Sequence, residues 1–488
     1  MKKKPNILFF GMECTRSDHM SLYGYHRLTT PHIDKYLSED SIICDKFFAP
    51  SIPTPPGYSS ILTGMDCFGT EIVALRHKGQ MTSKVRSLPE VLRDEGYNST
   101  CIGFTGNAAS RGFDKYMEPK VTWGSWEEGR SNKAGSMNEI AIPELKRLAG
   151  KKEPFLLFLR HMDPHAPYLP PEPFERMFYH GNEYDKRNKS LKKLYEFKPF
   201  RDFFYTWFPP YCTSSDYVIA QYDGSIAYMD SCISNILETL RELGLEEDTI
   251  VVFTSDHGET LTEHEYYFDH HGLYDCTLSI PCAIKWKGHI KGTTRIKDPC
   301  QQKDIMPTLM DLMELDTGID FNGNSLMPLL RGEERIPEPE MYITECTWQR
   351  KHGWRTPEWK LIVALEPDFH YKEPKELYNL VKDPGENRNV IKENPDIAEV
   401  LEKRMYEHIA KREAAEGVTN PLYTNLTWYR EKGPFTSSDE AYNEIYIGDP
   451  EAAKRLQAPN KKRSSLINTE GMNKRNVKSM CYRDGSDR

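Results

Sequence analysis

The sequence predicts an α/β protein with a largely parallel sheet between helices and a smaller α+β domain at the C-terminal end. Three observations support this fold class. Short apolar runs alternate with amphipathic stretches through the first two-thirds of the 488-residue chain, polar clusters follow directly after those runs, and the pattern changes near residue 335. Alternation of strands and helices is typical of parallel sheets. A chain of this length can form two domains.

Four apolar runs have the length of buried strands: NILFFGM (6–12), STCIGF (99–104), PFLLFLRH (154–161) and DTIVVFTSD (248–256). Two stretches between them have the spacing of amphipathic helices, SLPEVLRDEGY (87–97) and YMDSCISNILETLRELG (228–244). The second ends in glycine, a common helix stop. Ligands of open parallel sheets collect at the carboxyl ends of the strands. We therefore expect function in the polar clusters that follow these runs.

The chain is expected to divide at about residues 334 and 430. The larger unit, 1–334, would carry the chemistry. A smaller unit covers 335–430, and the last segment, 431–488, becomes polar and basic from about residue 459. We expect this end of the chain to be a poorly packed tail or an oligomer arm.

Within these units, the segment 178–215 is rich in aromatic and basic residues and has no clear period. It is either a solvated insertion or a lid that contacts an anionic substrate. In the smaller unit, MYITECTW (341–348) and WKLIVAL (359–365) are candidate strands, and a helix is predicted near 396–413.

The composition narrows the class of protein. The net charge of −9 argues against a general nucleic-acid binder. No apolar run approaches the roughly 18–20 residues that cross a bilayer, and the apolar run near the N-terminus is too short for a signal peptide. Eleven cysteines without CxxC pairs favour reduced thiols. We expect a cytoplasmic protein, possibly a homo-oligomer, with no membrane or nucleic-acid partner.

Acidic and histidine residues follow two of the predicted strands. Glu13 follows the first strand, and Asp256 and His257 follow the fourth. Carboxylate and imidazole ligands together suit Mn²⁺ or Zn²⁺ better than structural Ca²⁺. Gly258 would allow the turn that brings Asp256 and His257 to one ion. The alternative is that SDHG is a surface turn with an N-cap aspartate.

Thr54 lies in PSIPTPPGYSSILTG (50–64), where threonine is followed by proline and a helical run. A helix N-cap explains this pattern by itself. The same position would place a hydroxyl beside free N–H groups and the positive end of the helix dipole, where an anionic ester binds. A metal ion held by Glu13, Asp256 and His257 would make that hydroxyl a nucleophile.

The chain resembles the sulfatase branch of the alkaline phosphatase superfamily. The matching segments occur in order along nearly the whole chain: NILFFGMECTRSDHMSLYGY, TTPHIDKYL, SSILTG, EGYNSTCIGF, GFDKY, DPHAPYLPP, SDHGE, LYDCTLSIPCAI, DIMPTLMDL and PKELYNLVKDPGENRNV. The resemblance implies an alkaline-phosphatase/sulfatase-like core and a small C-terminal domain.

The chain departs from the sulfatase pattern at the reacting residues. The family's C/S-x-P-x-R motif, whose first residue becomes formylglycine, aligns its nucleophile with Thr54 and its arginine with Tyr58. The usual paired aspartates are Glu13 and Cys14, and the usual Asp–Asn pair is Asp256–His257. Threonine cannot become formylglycine. The set resembles that of the Mn²⁺- or Zn²⁺-dependent phosphoglycerol and phosphoethanolamine transferases, and phosphonate monoester hydrolases share the Asp–His pair.

By this resemblance, one divalent metal ion, Mn²⁺ or Zn²⁺, would be held by Glu13, Thr54, Asp256 and His257, with Thr54 as the nucleophile. Three histidines would complete the catalytic set: His165 of DPHAPY, His264 and His271. His165 would contact the non-bridging oxygens or protonate the leaving group, unless it is a structural loop histidine. His270 is not separable from His271 by sequence.

The expected function is metal-dependent hydrolysis of a small anionic phosphate ester, as a phosphodiesterase, phosphomonoesterase or phosphonate monoester hydrolase. A plain alkoxide must be freed by water that attacks the central atom, and phospho-threonine permits this more readily than sulfated threonine. One alternative is a sulfuric ester hydrolase that works without formylglycine. Another is an inactive scaffold that kept the fold.

Overall fold

The computed structural model describes residues 3–74, 81–103, 110–196, 207–331, 333, 338–347, 349–366 and 370–425. The strands are β1 (Asn6–Met12), β2 (Ser41–Cys44), β3 (Phe47–Phe48), β4 (Ser51–Ile52), β5 (Asn98–Ile102), β6 (Lys115–Met117), β7 (Phe155–His161), β8 (Thr249–Thr254), β9 (Cys282–Lys285), β10 (Thr293–Ile296), β11 (Cys300–Gln301), β12 (Met341–Cys346), β13 (Arg350–Arg355), β14 (Trp359–Ala364) and β15 (Lys375–Asn379).

The helices are α1 (Pro31–Tyr36), α2 (Thr54–Thr63), α3 (Cys67–Thr70), α4 (Leu88–Asp94), α5 (Lys133–Ala149), α6 (Lys192–Glu196), α7 (Ser215–Glu242), α8 (Asp275–Leu278), α9 (Ile305–Leu312), α10 (Met327–Leu330), α11 (Pro395–Glu416) and α12 (Pro421–Thr424). The predicted tail, 431–488, lies outside the described residues, as does part of the predicted insertion, 197–206.

The large sheet has eight strands in the order β10-β2-β9-β8-β1-β7-β5-β6. Strands β8, β1, β7, β5 and β6 run parallel to one another. Strand β9 runs antiparallel to both of its neighbours, β8 and β2. The predicted fold class is therefore confirmed, with β9 as the exception to the parallel order. Because β8, β1 and β7 are adjacent, the residues that follow them meet at one edge of the sheet.

Alternate residues of β1 face two different layers of helices. Ile7 and Phe9 pack in the core that includes Ile61 of α2, while Leu8 and Phe10 pack in the core that includes Ile233 of α7. All seven residues of β1 are buried. A strand covered on both faces loses the polar alternation of a surface strand and becomes a continuous apolar run, which is why this strand could be predicted.

Helix α7 starts well before the predicted helix 228–244, at Ser215. Its first half buries polar residues, among them Gln221 and Asp223, so no apolar stripe marks it. Asp223 accepts hydrogen bonds from His19 Nδ1 (2.7 Å) and Arg27 Nη1 (2.6 Å). A buried charge requires partners, and His19 and Arg27 supply them for Asp223. The first half of α7 is therefore interior although its sequence is polar.

The smaller C-terminal domain is built on a five-stranded sheet in the order β15-β14-β13-β12-β4, covered by α11. The predicted strands at 341–348 and 359–365 are present as β12 and β14. The charged strand β13, RKHGWR, was not predicted. Strand β4 pairs in parallel with β12, through Ser51 and Thr344, so the small sheet includes a segment that directly precedes α2.

No helix within the described ranges combines the length and the apolar character needed to span a bilayer. The cysteines of the described residues are free, and all except Cys276 are buried, in agreement with the expected reduced thiols.

A buried ion cluster joins α8 to the small sheet. Lys360 Nζ lies 2.6 Å from Asp275 Oδ1 and 2.7 Å from Glu386 Oε1, and Arg355 Nη2 lies 2.7 Å from Asp275 Oδ2. The Lys360 side chain is fully buried. Although burial opposes ionisation of Asp275, Lys360 and Arg355 hold its pKa well below the usual range. Asp275 is therefore ionised, and it stabilises the contact between α8 and the small sheet.

We expect Asp275→Asn to lower the free energy of unfolding by about 3 kcal/mol, because it leaves two buried cations short of a counter-ion. The contribution of Asp275 is present above the unfolded-state pKa of about 4 and is lost as the pH falls below that value. Chemical denaturation at pH 7 measures the loss. Asp248→Asn, which removes an exposed pair with Lys3, should change stability by less than about 1 kcal/mol. Equal effects of the two substitutions would contradict the assigned role of the buried cluster.

Candidate active site

The carboxyl ends of β1, β7 and β8 bring together three charged side chains. Glu13 directly follows β1, Arg160 lies near the end of β7, and Asp256 lies just beyond β8. All three are buried. Gln302 Nε2 donates hydrogen bonds to the carbonyls of Ser255 (3.0 Å) and Asp256 (2.7 Å), which fixes the chain where it leaves β8.

Each of the two carboxylates uses one oxygen within the protein. Asp256 Oδ1 accepts hydrogen bonds from the N–H groups of Cys14 and His257, both at 3.0 Å. Glu13 Oε1 accepts from Arg160 Nη2 (3.0 Å) and Nε (3.2 Å). Glu13 Oε2 and Asp256 Oδ2 are buried and accept no hydrogen bond. Two orphaned carboxylate oxygens beside an imidazole fit a divalent cation.

The electrostatics of the pair favour a cation. Burial, followed by the charge of Asp256, raises the pKa of Glu13 well above its usual value, and Arg160 opposes this only in part. Burial also opposes ionisation of Asp256, but His257 and hydrogen bonds bring the pKa of Asp256 down to about 2. A bound cation would stabilise the ionised form of Glu13 and oppose this rise in its pKa.

Thr54 is the first residue of α2, and Pro53 occupies the N-cap position. The expectation that Thr54 caps the helix is therefore wrong, because no side chain caps this helix. The Thr54 hydroxyl instead lies 3.2 Å from His257 Nε2. A hydroxyl that does not cap the helix is free to take part in chemistry.

The start of α2 offers fewer N–H groups than expected. Pro55 and Pro56 have none, and the N–H of Gly57 donates to the carbonyl of Pro53 (3.4 Å). Gly57 instead allows a close approach, since a Cβ there would lie 2.5 Å from the carbonyl oxygen of Asp256. The helix therefore positions Thr54 by packing directly on the loop that follows β8.

His257 presents Nε2 to the centre. Its Nδ1 lies 2.8 Å from the carbonyl oxygen of Gly258, so Nδ1 carries the hydrogen and Nε2 carries the lone pair. Burial lowers the pKa of His257, which favours the neutral ligand form. The turn expected from sequence would give Gly258 a positive φ, and Gly258 does not have one. Glycine is needed here for space, because a Cβ would lie 2.1 Å from the carbonyl oxygen of Cys276.

His165 lies at the edge of this centre, with its ring 5.9 Å from the ring of His270, which in turn lies 4.5 Å from the ring of His257. His165 Nδ1 is 2.8 Å from the carbonyl oxygen of Ala166. Burial lowers the pKa of His165 to about 3. A bound anion would raise that pKa, so His165 is suited to gain its proton together with the substrate.

The other two expected histidines are not brought to the centre. The ring of His264 stacks on Tyr274 at 3.5 Å. His271 Nδ1 lies 3.3 Å from His370 Nε2, toward the C-terminal domain. The histidine of this segment that reaches His257 is His270, which sequence could not separate from its neighbour.

Arg160 is a functional residue that the sequence analysis missed. The ring of Tyr58, which occupies the position of the family's arginine, is buried, and Arg160 Cζ lies 4.4 Å from its centre. The guanidinium that contacts Glu13 therefore comes from β7. Its signal in the sequence is a lone arginine near the end of the apolar run PFLLFLRH (154–161), shortly before DPHAPYLPP.

We expect Mn²⁺ to raise the thermal stability of protein first treated with EDTA, by about 2.7 kcal/mol at a hundredfold excess over Kd. Asp256→Asn should remove this gain, and the exposed Asp248→Asn should not. Because burial raises the pKa of Glu13, the affinity for the cation should rise with pH. A gain retained in Asp256→Asn would place the cation elsewhere.

Comparison with known proteins shows two family matches along the chain. The Sulfatase family model matches residues 5–315, and the model for the N-sulphoglucosamine sulphohydrolase C-terminal region matches residues 262–414. The N-acetylglucosamine-6-O-sulfatase of Bacteroides thetaiotaomicron is 23% identical, over 82% of this chain and 86% of its own.

Two solved structures share the fold. The phosphonate monoester hydrolase of Agrobacterium radiobacter has a TM-score of 0.67 at 19% identity, over 84% of this chain and 96% of its own. A putative sulfatase from Bacteroides thetaiotaomicron has a TM-score of 0.68 at 20% identity, over 84% of this chain and 93% of its own. Since the family model spans more than half of the chain, the protein belongs to the sulfatase family.

Proposed function

We propose that the protein hydrolyses a small anionic ester, with Thr54 as the nucleophile, and that a sulfuric ester is the leading substrate class. One observation carries the proposal: the Thr54 hydroxyl lies 3.2 Å from His257 Nε2, beside the orphaned oxygens of Glu13 and Asp256. A hydroxyl beside a cation position and a neutral imidazole is the arrangement that an activated nucleophile requires.

Glu13, Thr54, Asp256 and His257 would hold the divalent ion, for which Mn²⁺ and Zn²⁺ suit the mixed carboxylate and imidazole donors. When bound, the ion would supply Lewis acidity, which lowers the pKa of the Thr54 hydroxyl and offsets the charge of the ester. Arg160 keeps Glu13 oriented through two hydrogen bonds.

In the proposed reaction, the Thr54 hydroxyl releases its proton to solvent, Thr54 Oγ1 forms a bond to the central atom of the ester, and the bond to the leaving oxygen breaks. His165 or His270 delivers a proton to that oxygen. Water then attacks the central atom of the threonine ester; its hydroxyl group stays with the inorganic anion, and its proton restores the Thr54 hydroxyl. The His270 ring lies 4.5 Å from the His257 ring and 5.9 Å from the His165 ring, so both histidines lie near the proposed centre.

The comparisons favour sulfate over the phosphate ester expected from sequence. The family model and the Bacteroides relative carry sulfatase names. This chain would then work without formylglycine, because Thr54 stands at the nucleophile position.

A phosphate or phosphonate ester is the second candidate, favoured by a different observation. Thr54 offers one hydroxyl, so the covalent intermediate must be cleared at its central atom, which is easier for phosphorus than for sulfur. A phosphonate monoester hydrolase also shares the fold.

The deciding experiment is hydrolysis of nitrophenyl sulfate, phosphate monoester, phosphate diester and phenylphosphonate, with Mn²⁺, Zn²⁺, Mg²⁺ or EDTA. We expect the sulfate to be cleaved best in the presence of metal, and Thr54→Ala to lose nearly all activity while Thr54→Ser retains part of it. A phosphorus ester cleaved best would establish the second candidate. Activity that survives Thr54→Ala would refute the nucleophile.

The histidines give a separate prediction. His270→Ala should lower kcat by roughly 10²–10⁴, the usual contribution of a positioned acid or base. His264→Ala is the matched control, because its ring stacks on Tyr274, and it should leave kcat within a few-fold. Steady-state kinetics with the best substrate of the panel compare them. A larger loss in His264→Ala would restore the assignment made from sequence.

A further inference from the structure

The turn after β1 directs two consecutive side chains to different groups. Glu13 reaches Arg160, whereas Cys14 has a φ of 57°, in the left-handed region that non-glycine residues rarely adopt. The Cys14 backbone is held on both sides: its N–H donates to Asp256 Oδ1 (3.0 Å), and its carbonyl accepts from the Tyr222 hydroxyl (2.8 Å). The direction of the thiol is therefore fixed by the protein.

The thiol belongs to a compact group of potential metal ligands. Cys14 Sγ, a carboxylate oxygen of Glu259 and one ring nitrogen each of His257 and His270 all lie within 4.8 Å of one another. Cys14, Glu259 and His257 are fully buried.

Glu259 is the second observation that points to a ligand. Its Oε1 accepts a hydrogen bond from the Tyr168 hydroxyl, while Oε2 is buried and accepts none. His270 adjoins it, since His270 Nδ1 lies 3.8 Å from Glu259 Oε2 and 3.1 Å from Asp269 Oδ1.

We propose a second cation position, specific for zinc, with Cys14, Glu259 and His270 as its distinguishing ligands. One thiolate, one carboxylate and imidazole nitrogen form a tetrahedral zinc set, and a thiolate selects against Mg²⁺, Ca²⁺ and Mn²⁺. His257 borders both cation positions. Its Nδ1 is hydrogen-bonded to the carbonyl oxygen of Gly258, so only Nε2 is left to bind a cation, at one position at a time.

This position differs from the one at Glu13 and Asp256 in its chemistry. The first is formed by carboxylates and a hydroxyl, and the second contains a sulfur atom. A zinc ion there would replace the thiol proton of Cys14 and neutralise Glu259. It requires no substrate, so it can be tested without the proposed hydrolysis. With zinc bound at His270, His165 would be the histidine that delivers the proton in that reaction.

The test is Co²⁺ titration of the metal-free protein, observed by near-ultraviolet absorption. We expect a thiolate-to-cobalt charge-transfer band that is lost in Cys14→Ser and retained in Cys232→Ser, which removes a buried thiol of α7. Glu13→Gln should retain the band. No band in the wild-type protein, or a band that persists in Cys14→Ser, would overturn the proposal, as would its loss in Glu13→Gln.

X-ray absorption of the zinc-loaded wild-type protein needs no variant and so does not depend on the folding of Cys14→Ser. We expect one sulfur at about 2.3 Å from zinc. A shell of nitrogen and oxygen alone would refute the position. Zinc bound through sulfur in Thr54→Ala, with hydrolysis lost or never detected, would support the site whether or not the hydrolytic proposal holds.

Discussion

The centre depends on two carboxyl groups that the sheet forces together in the interior. Strands β1 and β8 are neighbours in register, so Glu13 and Asp256 emerge side by side. Arg160 forms a hydrogen bond with Glu13, whereas Asp256 accepts hydrogen bonds from two backbone N–H groups. The fold therefore keeps two acidic groups close together in the interior, where a cation would stabilise their ionised forms. A cation held there would also offset the charge of an anionic ester.

Sequence was sufficient for the parts of the site that follow from strand order. The runs that became β1, β7 and β8 are buried on both faces, so their apolar character reveals them, and the residues at their ends had to meet. Arg160 was hidden because it lies inside one of these runs. Thr54 was placed one position too early along the helix, since threonine before proline fits both a cap and a first turn, and helix ends vary by a residue.

The histidines show a different limit. The segment 260–275 has no period that predicts which side chain faces the centre. His264 adopts a φ of 58°, which turns it from the path that a regular segment would follow. His270 and His271 are consecutive and both lie beside Asp269, yet one adjoins His257 and the other adjoins His370. The different contacts of His270 and His271 depend on the tertiary fold. The burial of the polar first half of α7 depends on it as well.

The pairing of β4 with β12 has a consequence for how the chain can be divided. Thr54 follows β4 by two residues, and β4 is an edge strand of the C-terminal sheet. The last third of the chain thus anchors the segment that delivers the hydroxyl. The C-terminal domain is not a detachable module, and its removal would leave β4 unpaired immediately before Thr54. Recombination between relatives at this boundary would exchange the support of Thr54 together with the domain.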